Sequence, residues 1–359
     1  MRILEQYHPQ IGQEDQTELI SVIVAAYNIA DYIEKGVRSV CAQTYRNLEI
    51  LVVDDGSTDM TGSICDRLAE EDKRIRVIHK KNGGLADARN AGLQAAGGSY
   101  IGFIDGDDWI DPDMYEKMLG AMREQKADAA VCRYRQVHSA YTLDESQDRV
   151  VVFAGQEALQ HYVWESKEFA IQNAAWNKLY KKEILADLLF PTGKLYEDIV
   201  FTTRALSRVR CCVYLDTACY NYIIDREGSI MNAQINERTF TDHIPAYDEK
   251  TAFLRSIGRA DLAKVHDYFV CKRLLLFYHQ VEEGELPDRD RYLEKFRQIL
   301  WNGRESYMAA CACPQADPRD AKKLKLFLRS PARYSRRIRI EERVVIPCKV
   351  KIKRLLHRG

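Results

Sequence analysis

Alternation constrains this chain more than any other feature. LISVIVAAY (19–27), EILVVDD (49–55), RIRVIHK (74–80), YIGFID (100–105) and ADAAVCRY (127–134) are apolar runs rich in β-branched residues. Such runs are the mark of strands buried on both faces. Helical segments lie between them. DYIEKGVRSVCAQTY places Ile33, Val37, Val40 and Cys41 at helical spacing, with Asp31 able to cap. STDMTGSICDRLAEE opens with capping residues and runs on through Ile64, Cys65 and Leu68. LADARNAGLQAA (85–96) is a further helix, and Asp111 and Pro112 open the next as cap and first-turn proline. The pattern predicts an α/β chain: a doubly wound, mostly parallel sheet with helices on both faces and right-handed crossovers.

In such sheets ligands bind at the carboxyl ends of the strands. Two acidic clusters, VVDDGSTD and FIDGDD, sit at those ends. Asp105, Asp107, Asp108 and Asp111 crowd into seven residues behind an apolar run. Asp105 and Asp107, at i and i+2 across Gly106, can converge on one hard cation. Mg²⁺ and Mn²⁺ take oxygen ligands and often share them with a substrate diphosphate. A solvated turn is the plainer alternative. An EF-hand is excluded, because Trp109 and Ile110 stand where a ligand and a glycine are needed. A haloacid-dehalogenase phosphatase would want Thr or Val where Trp109 stands.

Upstream, Asp54 and Asp55 precede Gly56, which turns into a helix capped by Ser57, Thr58 or Asp59. Capping accounts for residues 57–59 but not for Asp55. An acid at a strand end can accept a hydrogen bond from a base N–H or a ribose hydroxyl. No GxGxxG precedes it and no GxxxxGK[ST] occurs in the chain. The common phosphate cradles are absent, so a metal is left to do that work.

The second half reads differently. VVVF is followed by the helix QEALQHYVWES, a segment containing WNKLYKKEIL, and the amphipathic helix EDIVFTTRALSRV (197–209). RCCVYLD and YNYIID read as two short strands, and everything after 240 as helix, with CACPQADPRD (311–320) as a linker. The expected divisions are a lead-in (1–18), two halves of one α/β domain (19–135 and 136–235), a helical region (236–310), and a linker with basic tail (311–359). The 359 residues, 46% hydrophobic, suffice for one large core or two modest ones. The ten cysteines are scattered, and Cys311 and Cys313 lack a second pair at zinc spacing; they read as free core thiols. The eight histidines show no metal-ligand spacing.

No apolar stretch follows Arg2 and no run reaches 18 apolar residues, which predicts a cytoplasmic protein without a spanning helix. Zero net charge conceals an asymmetry. Residues 321–359 hold 14 Lys or Arg against two Glu, so the tail is +12 and the first 320 residues −12. Basic residues interleaved with Leu, Ile, Val and Phe predict peripheral contact with an anionic membrane, where the apolar side chains could seat. A disordered tail or a helical pair packed on the body is the alternative. Nucleic acid is disfavoured, because only Phe327 and Tyr334 interleave as aromatics.

SVIVAAYN, SVCAQTYRNLEILVVDDGSTD, GGLADARNAGL and YIGFIDGDDW occur in order. Together they resemble the family 2 glycosyltransferases with the GT-A fold, densely over 19–135 and more loosely to 230. The resemblance implies that the first half binds a nucleotide-sugar, most often a UDP-sugar. Asp55 would contact the nucleoside, with Ala25 and Tyr27 flanking the base. Asp107 and Asp105 would hold Mn²⁺ or Mg²⁺ on the diphosphate. Arg89 would lie near the donor, or form an ion pair tying its helix to an acidic strand end. Ala86 stands where the family often has Ser.

LYEDIVF resembles the family's Glu-Asp motif, which makes Asp198 the base of an inverting displacement; Glu197 and Asp198 are equally acids favoured at a helix N-terminus. Asn177 and Lys178 in AWNKLYKKE either face the acceptor or fix a loop. Arg226 in DREGSI resembles an Arg-x-x-Ser segment that closes on the diphosphate, or belongs to a plain turn. The implied activity is a hexosyltransferase acting on a glycan or lipid-linked acceptor in capsule or exopolysaccharide synthesis. Its rivals are a metal-dependent nucleotide-sugar phosphohydrolase and a catalytically silent scaffold of a polysaccharide complex.

Overall fold

The computed structural model describes residues 1–5, 16–225 and 235–341. It divides into two units, Met1–Lys250 and Thr251–Gly359. The first runs β1 (Arg2–Glu5), β2 (Ile20–Ala26), α1 (Ile33–Cys41), β3 (Leu48–Asp54), α2 (Thr61–Glu71), β4 (Ile75–His79), α3 (Leu85–Ala95) and β5 (Tyr100–Asp105). It continues with β6 (Trp109–Ile110), α4 (Met114–Gln125), β7 (Ala129–Val137), β8 (Thr142–Leu143), β9 (Arg149–Ala154), α5 (Glu157–Val163), β10 (Lys178–Lys181), α6 (Glu197–Arg208) and β11 (Cys211–Ile223). Helix α7 (Ile244–Ser256) crosses into the second unit.

The β-branched runs become strands because both sheet faces are covered. All seven residues of β2 are buried. The main sheet has the order β1-β9-β11-β7-β10-β5-β2-β3-β4. Strands β5, β2, β3 and β4 are mutually parallel. The chain winds from β2 outward to β4 and returns to place β5 on the other side of β2, so the topological switch point lies between β2 and β5. Register sets Ala25 opposite Asp105 on one side and Val53 on the other. The ends of three strands, and both acidic clusters, therefore meet at one edge.

Several local expectations are corrected. Arg2–Glu5, taken as irregular lead-in, is an edge strand paired antiparallel with β9. Lys178–Lys181 is a strand inserted antiparallel between β5 and β7, so the sheet is mixed there. The two short strands expected from RCCVYLD and YNYIID are one 13-residue strand, with register shifts against β7 around Ala218. Helix α1 starts after Tyr32 without a side-chain cap from Asp31. Helix α4 starts after Asp113; the Asp111 carboxylate instead accepts hydrogen bonds from Arg135 (2.7 Å) and Asn221 (3.0 Å).

The second unit is helical: α8 (Ala260–Glu283), α9 (Arg289–Asn302), α10 (Arg304–Ala310), α11 (Asp320–Arg329) and α12 (Pro331–Ile340). The 311–320 segment, expected as a linker, is tied down. Cys313 is buried, and the Tyr268 hydroxyl accepts from the Asp317 N–H and donates to Asp320. The nine cysteines among the described residues are free. No helix among the described residues is long and apolar enough to cross a membrane.

Candidate active site

The edge built by β2, β3 and β5 carries the first group of side chains. Ala25 is buried, and its carbonyl accepts the Gly106 N–H at 3.1 Å, which fixes the turn after β5. Tyr27 stands exposed at the rim. Asp55 is only 2% exposed. Its carboxylate accepts hydrogen bonds from Lys80 Nζ (2.6 Å) and from the backbone N–H of Gly83 (3.0 Å) and Gly84 (2.7 Å). Lys80 also pairs with Asp87. Asp55 thus anchors the 80–84 loop that leads into α3. Ala86 is buried, and its methyl group supplies no hydroxyl where the family often has one.

Arg89, on α3, is the hinge of the site. It is buried, donates from Nη2 to Asp105 Oδ1 (2.6 Å) and from Nη1 to Glu197 Oε1 (2.8 Å). The ion-pair reading of Arg89 holds: it ties its helix to Asp105, the acid at the end of β5. Burial alone would lower the guanidinium's pKa; Asp105 and Glu197 more than offset it and raise it. The bridge joins the end of β5 to the first turn of α6, which holds Glu197 and Asp198. Burial pushes the Glu197 carboxyl up to about 7 against the pull of Arg89. Asp198 is half-buried; burial raises its pKa, while Arg89 and Lys178 pull it back.

The four acids of the β5 turn separate into different roles. Asp105 binds Arg89, Asp107 is half-buried, and Asp111 binds Arg135. Asp108 points inward: it accepts from the Tyr220 hydroxyl (2.8 Å) and the Ile223 N–H (2.9 Å). Tyr220 OH also accepts the Asp105 N–H at 3.3 Å, so one hydroxyl fastens both ends of the turn to β11. Burial, then Asp107 and Asp105, push the Asp108 carboxyl well above the usual range. Repulsion within the β5-turn cluster is thus relieved partly by Arg89 and Arg135, and partly by seating Asp108 on donors.

Helix α1 closes against this turn through Gly36. A Cβ there would lie 2.8 Å from the carbonyl oxygens of both Gly106 and Asp108. Gly36→Ala should therefore displace the turn, at a cost of about 1–3 kcal/mol. Urea unfolding together with donor titration checks this; unchanged stability and donor affinity would show that the contact is loose.

Asn177 and Lys178 do not face an acceptor; both are fully buried. Lys178 Nζ donates to the carbonyls of Gln172 (3.0 Å) and Ala174 and to Asn177 Oδ1 (2.8 Å). Burial pushes its pKa down to about 7. The carbonyl between them, Asn173 O, accepts from Thr202 Oγ1 on α6. Trp176 stacks on Tyr220, ring centroids 4.1 Å apart. The AWNK segment therefore braces α6 through Lys178 and the β5 turn through Trp176. Arg226 lies outside the described residues.

Sequence reading missed Tyr220 and Lys80. Their partners lie 112 and 25 residues away, and neither residue stands in a local motif that marks it.

The family model described as Glycosyl transferase family 2 matches residues 21–189. The glycosyltransferase GlyA of Streptococcus pneumoniae serotype 4 is 36% identical over 67% of this chain, which spans 35% of GlyA's own length. The glycosyltransferase GlyG of the same organism is 32% identical over 77% of this chain and 93% of GlyG. Among solved structures, S. aureus TarS 1-349 in complex with UDP-GlcNAc matches with a TM-score of 0.57 at 19% identity, over 90% of this chain and 91% of that one, so the two share the GT-A fold. With an ordered set of strand-end motifs, the sheet that carries them and a full-length relative in agreement, the chain belongs to glycosyl transferase family 2 and is a glycosyltransferase.

Proposed function

We propose that this enzyme moves a sugar, with inversion, from a UDP-sugar to a hydroxyl of a glycan or lipid-linked acceptor in cell-surface polysaccharide synthesis. One observation carries the reading: the Asp105–Arg89–Glu197 bridge, which puts the end of β5 and the N-terminus of α6 at one site. Residues 19–135 form the donor half and 136–235 the acceptor half, with 236–310 a helical region. The nucleoside lies against the Ala25–Tyr27 segment and the loop that Asp55 anchors. The fold shared with TarS, whose crystal structure holds UDP-GlcNAc, suits that donor class.

In this reading Asp198 accepts the proton of the attacking hydroxyl. The new bond forms at the anomeric carbon as the bond to the diphosphate breaks, and the diphosphate departs with the electron pair. No enzyme nucleophile is needed. Asp105 and Asp107 fit a divalent ion: both are oxygen donors at a strand end, and Asp105 keeps one oxygen beyond the one Arg89 holds. Two carboxylates suffice where a diphosphate and water complete the shell of Mn²⁺ or Mg²⁺. Such an ion would neutralise charge on the departing diphosphate.

The test is a thermal-shift screen of nucleotide-sugars with and without Mn²⁺. A ligand that binds the native state raises the melting temperature by mass action. The expected result is a shift with UDP-sugars that needs the metal and is lost in Asp107→Asn. No shift with any nucleotide-sugar, or phosphate release with no sugar reaching an acceptor, would overturn the reading.

A further inference from the structure

The last two helices among the described residues carry a charge that the transfer chemistry does not use. Helices α11 and α12 lie in the second unit and pack by one face each. Leu324 and Phe327 of α11 and Tyr334 and Ser335 of α12 are buried. The Phe327 ring meets Tyr278 of α8 edge-on at 4.9 Å and Tyr334 at 5.4 Å. Of the packed helical pair and the disordered tail expected as alternatives, the described part takes the helical pair. Its central apolar side chains are committed to the core and cannot seat in a lipid interface.

The outward faces are basic. Lys322, Lys325 and Arg329 follow helical spacing along α11, and Arg333 and Arg336 along α12; all five are exposed. Other cations of the pair are neutralised. Lys323 and Arg337 hold Glu341, and Arg339 holds Glu282 and Glu283. Among the described residues no carboxylate pairs with the remaining five. Five uncompensated charges on one helical hairpin leave a strongly positive field. Beyond it, residues 342–359 add six Lys or Arg against one Glu.

We infer that the exposed faces of α11 and α12 form an electrostatic docking surface for an anionic phospholipid leaflet, binding head groups without inserting side chains. Lipid is favoured over nucleic acid because both aromatic rings of the hairpin, Phe327 and Tyr334, are buried and unable to stack on bases. Insertion is disfavoured because Ile340, at the end of α12, is the exposed large apolar side chain of the pair. Attraction that depends on charge alone is short-ranged in salt. The choice of occupant rests on the lipid-linked form of the acceptor proposed above; the charge of the surface does not.

The test uses the full chain and co-sedimentation with vesicles of phosphatidylcholine, pure or containing about a third phosphatidylglycerol. Binding is expected only with phosphatidylglycerol, and should fade as salt rises from about 0.05 M to about 0.5 M. Lys325→Gln, Arg329→Gln and Arg336→Gln together should weaken it about a hundredfold. Ile340→Ser should leave it unchanged. Equal binding to pure phosphatidylcholine, indifference to salt, wild-type binding by the triple variant, or tighter binding to oligouridylate than to vesicles would each overturn the inference. So would no binding to either vesicle. The wild-type salt series needs no variant to fold. Transfer to a water-soluble acceptor, assayed in parallel, separates failure of this surface from failure of the proposed chemistry.

Discussion

Asp198→Asn should lower turnover by about 10²–10⁴-fold and leave nucleotide-sugar affinity within about twofold. Asp198 sits in the first turn of α6, half-buried. Arg89 gives its hydrogen bonds to Asp105 and Glu197, and Lys178 gives its own to carbonyl and amide oxygens. Neither cation caps Asp198, yet both pull its pKa down against the effect of burial. Burial still leaves the pKa raised overall, which suits a carboxylate that has to take up a proton from an acceptor hydroxyl. Asn keeps the shape and removes the proton acceptor. The lost interaction with the helix dipole is worth about 0.3–1 kcal/mol, too little to unfold the domain. Steady-state rates and donor calorimetry on the same preparation decide the matter. Wild-type turnover in the variant would remove Asp198 from the chemistry.

The strand-end edge that carries Asp55, Asp105 and Asp107 was legible from sequence because its signals are local. β-branched runs mark strands, and acids directly after them are at strand ends by construction. The switch point between β2 and β5 then brings Ala25 and Asp105 into register. What stayed hidden depends on distant partners. Nothing near Asp108 shows that it turns inward to Tyr220, 112 residues on. Its neighbours Asp105 and Asp107 have the same residue type and different fates. Lys178 carries a charge and ends up fully buried, because three oxygens from residues 172–177 converge on it. A charged residue followed by further lysines reads as surface, and only the packing of α6 against that loop reverses it. β10 was missed for a related reason: four residues between polar neighbours carry no strand period, and the pairing of Leu179 with Gly102 and Ala130 makes the strand.

The largest effect on stability is expected at Arg89, and its size depends on pH. Arg89→Met keeps the length and most of the buried volume, and removes the charge shared by Asp105 and Glu197. Breaking a buried pair by deleting one partner costs about 3–5 kcal/mol, because the other charge stays uncompensated. That cost falls on ionised carboxylates only. Glu197 is already raised to about 7 in the folded protein, mainly by burial, with Arg89 holding it down. A carboxyl whose folded pKa exceeds its unfolded value binds more protons when folded. Its contribution to stability therefore declines as pH rises from near 4.5 through about 7. Without Arg89 the folded pKa climbs further, and the decline extends to higher pH. The variant should thus lie closest to wild type under mildly acidic conditions, where Glu197 takes up a proton, and lose most stability under alkaline ones. Urea unfolding of both proteins at about pH 5.5 and about pH 8 measures the difference directly. Donor affinity should fall as well, since Asp105 would no longer be held at the end of β5. A stability loss equal at both pH values would show that Arg89 acts by packing against the Phe190 ring, 5.3 Å away, and not as the ionic link between strand and helix.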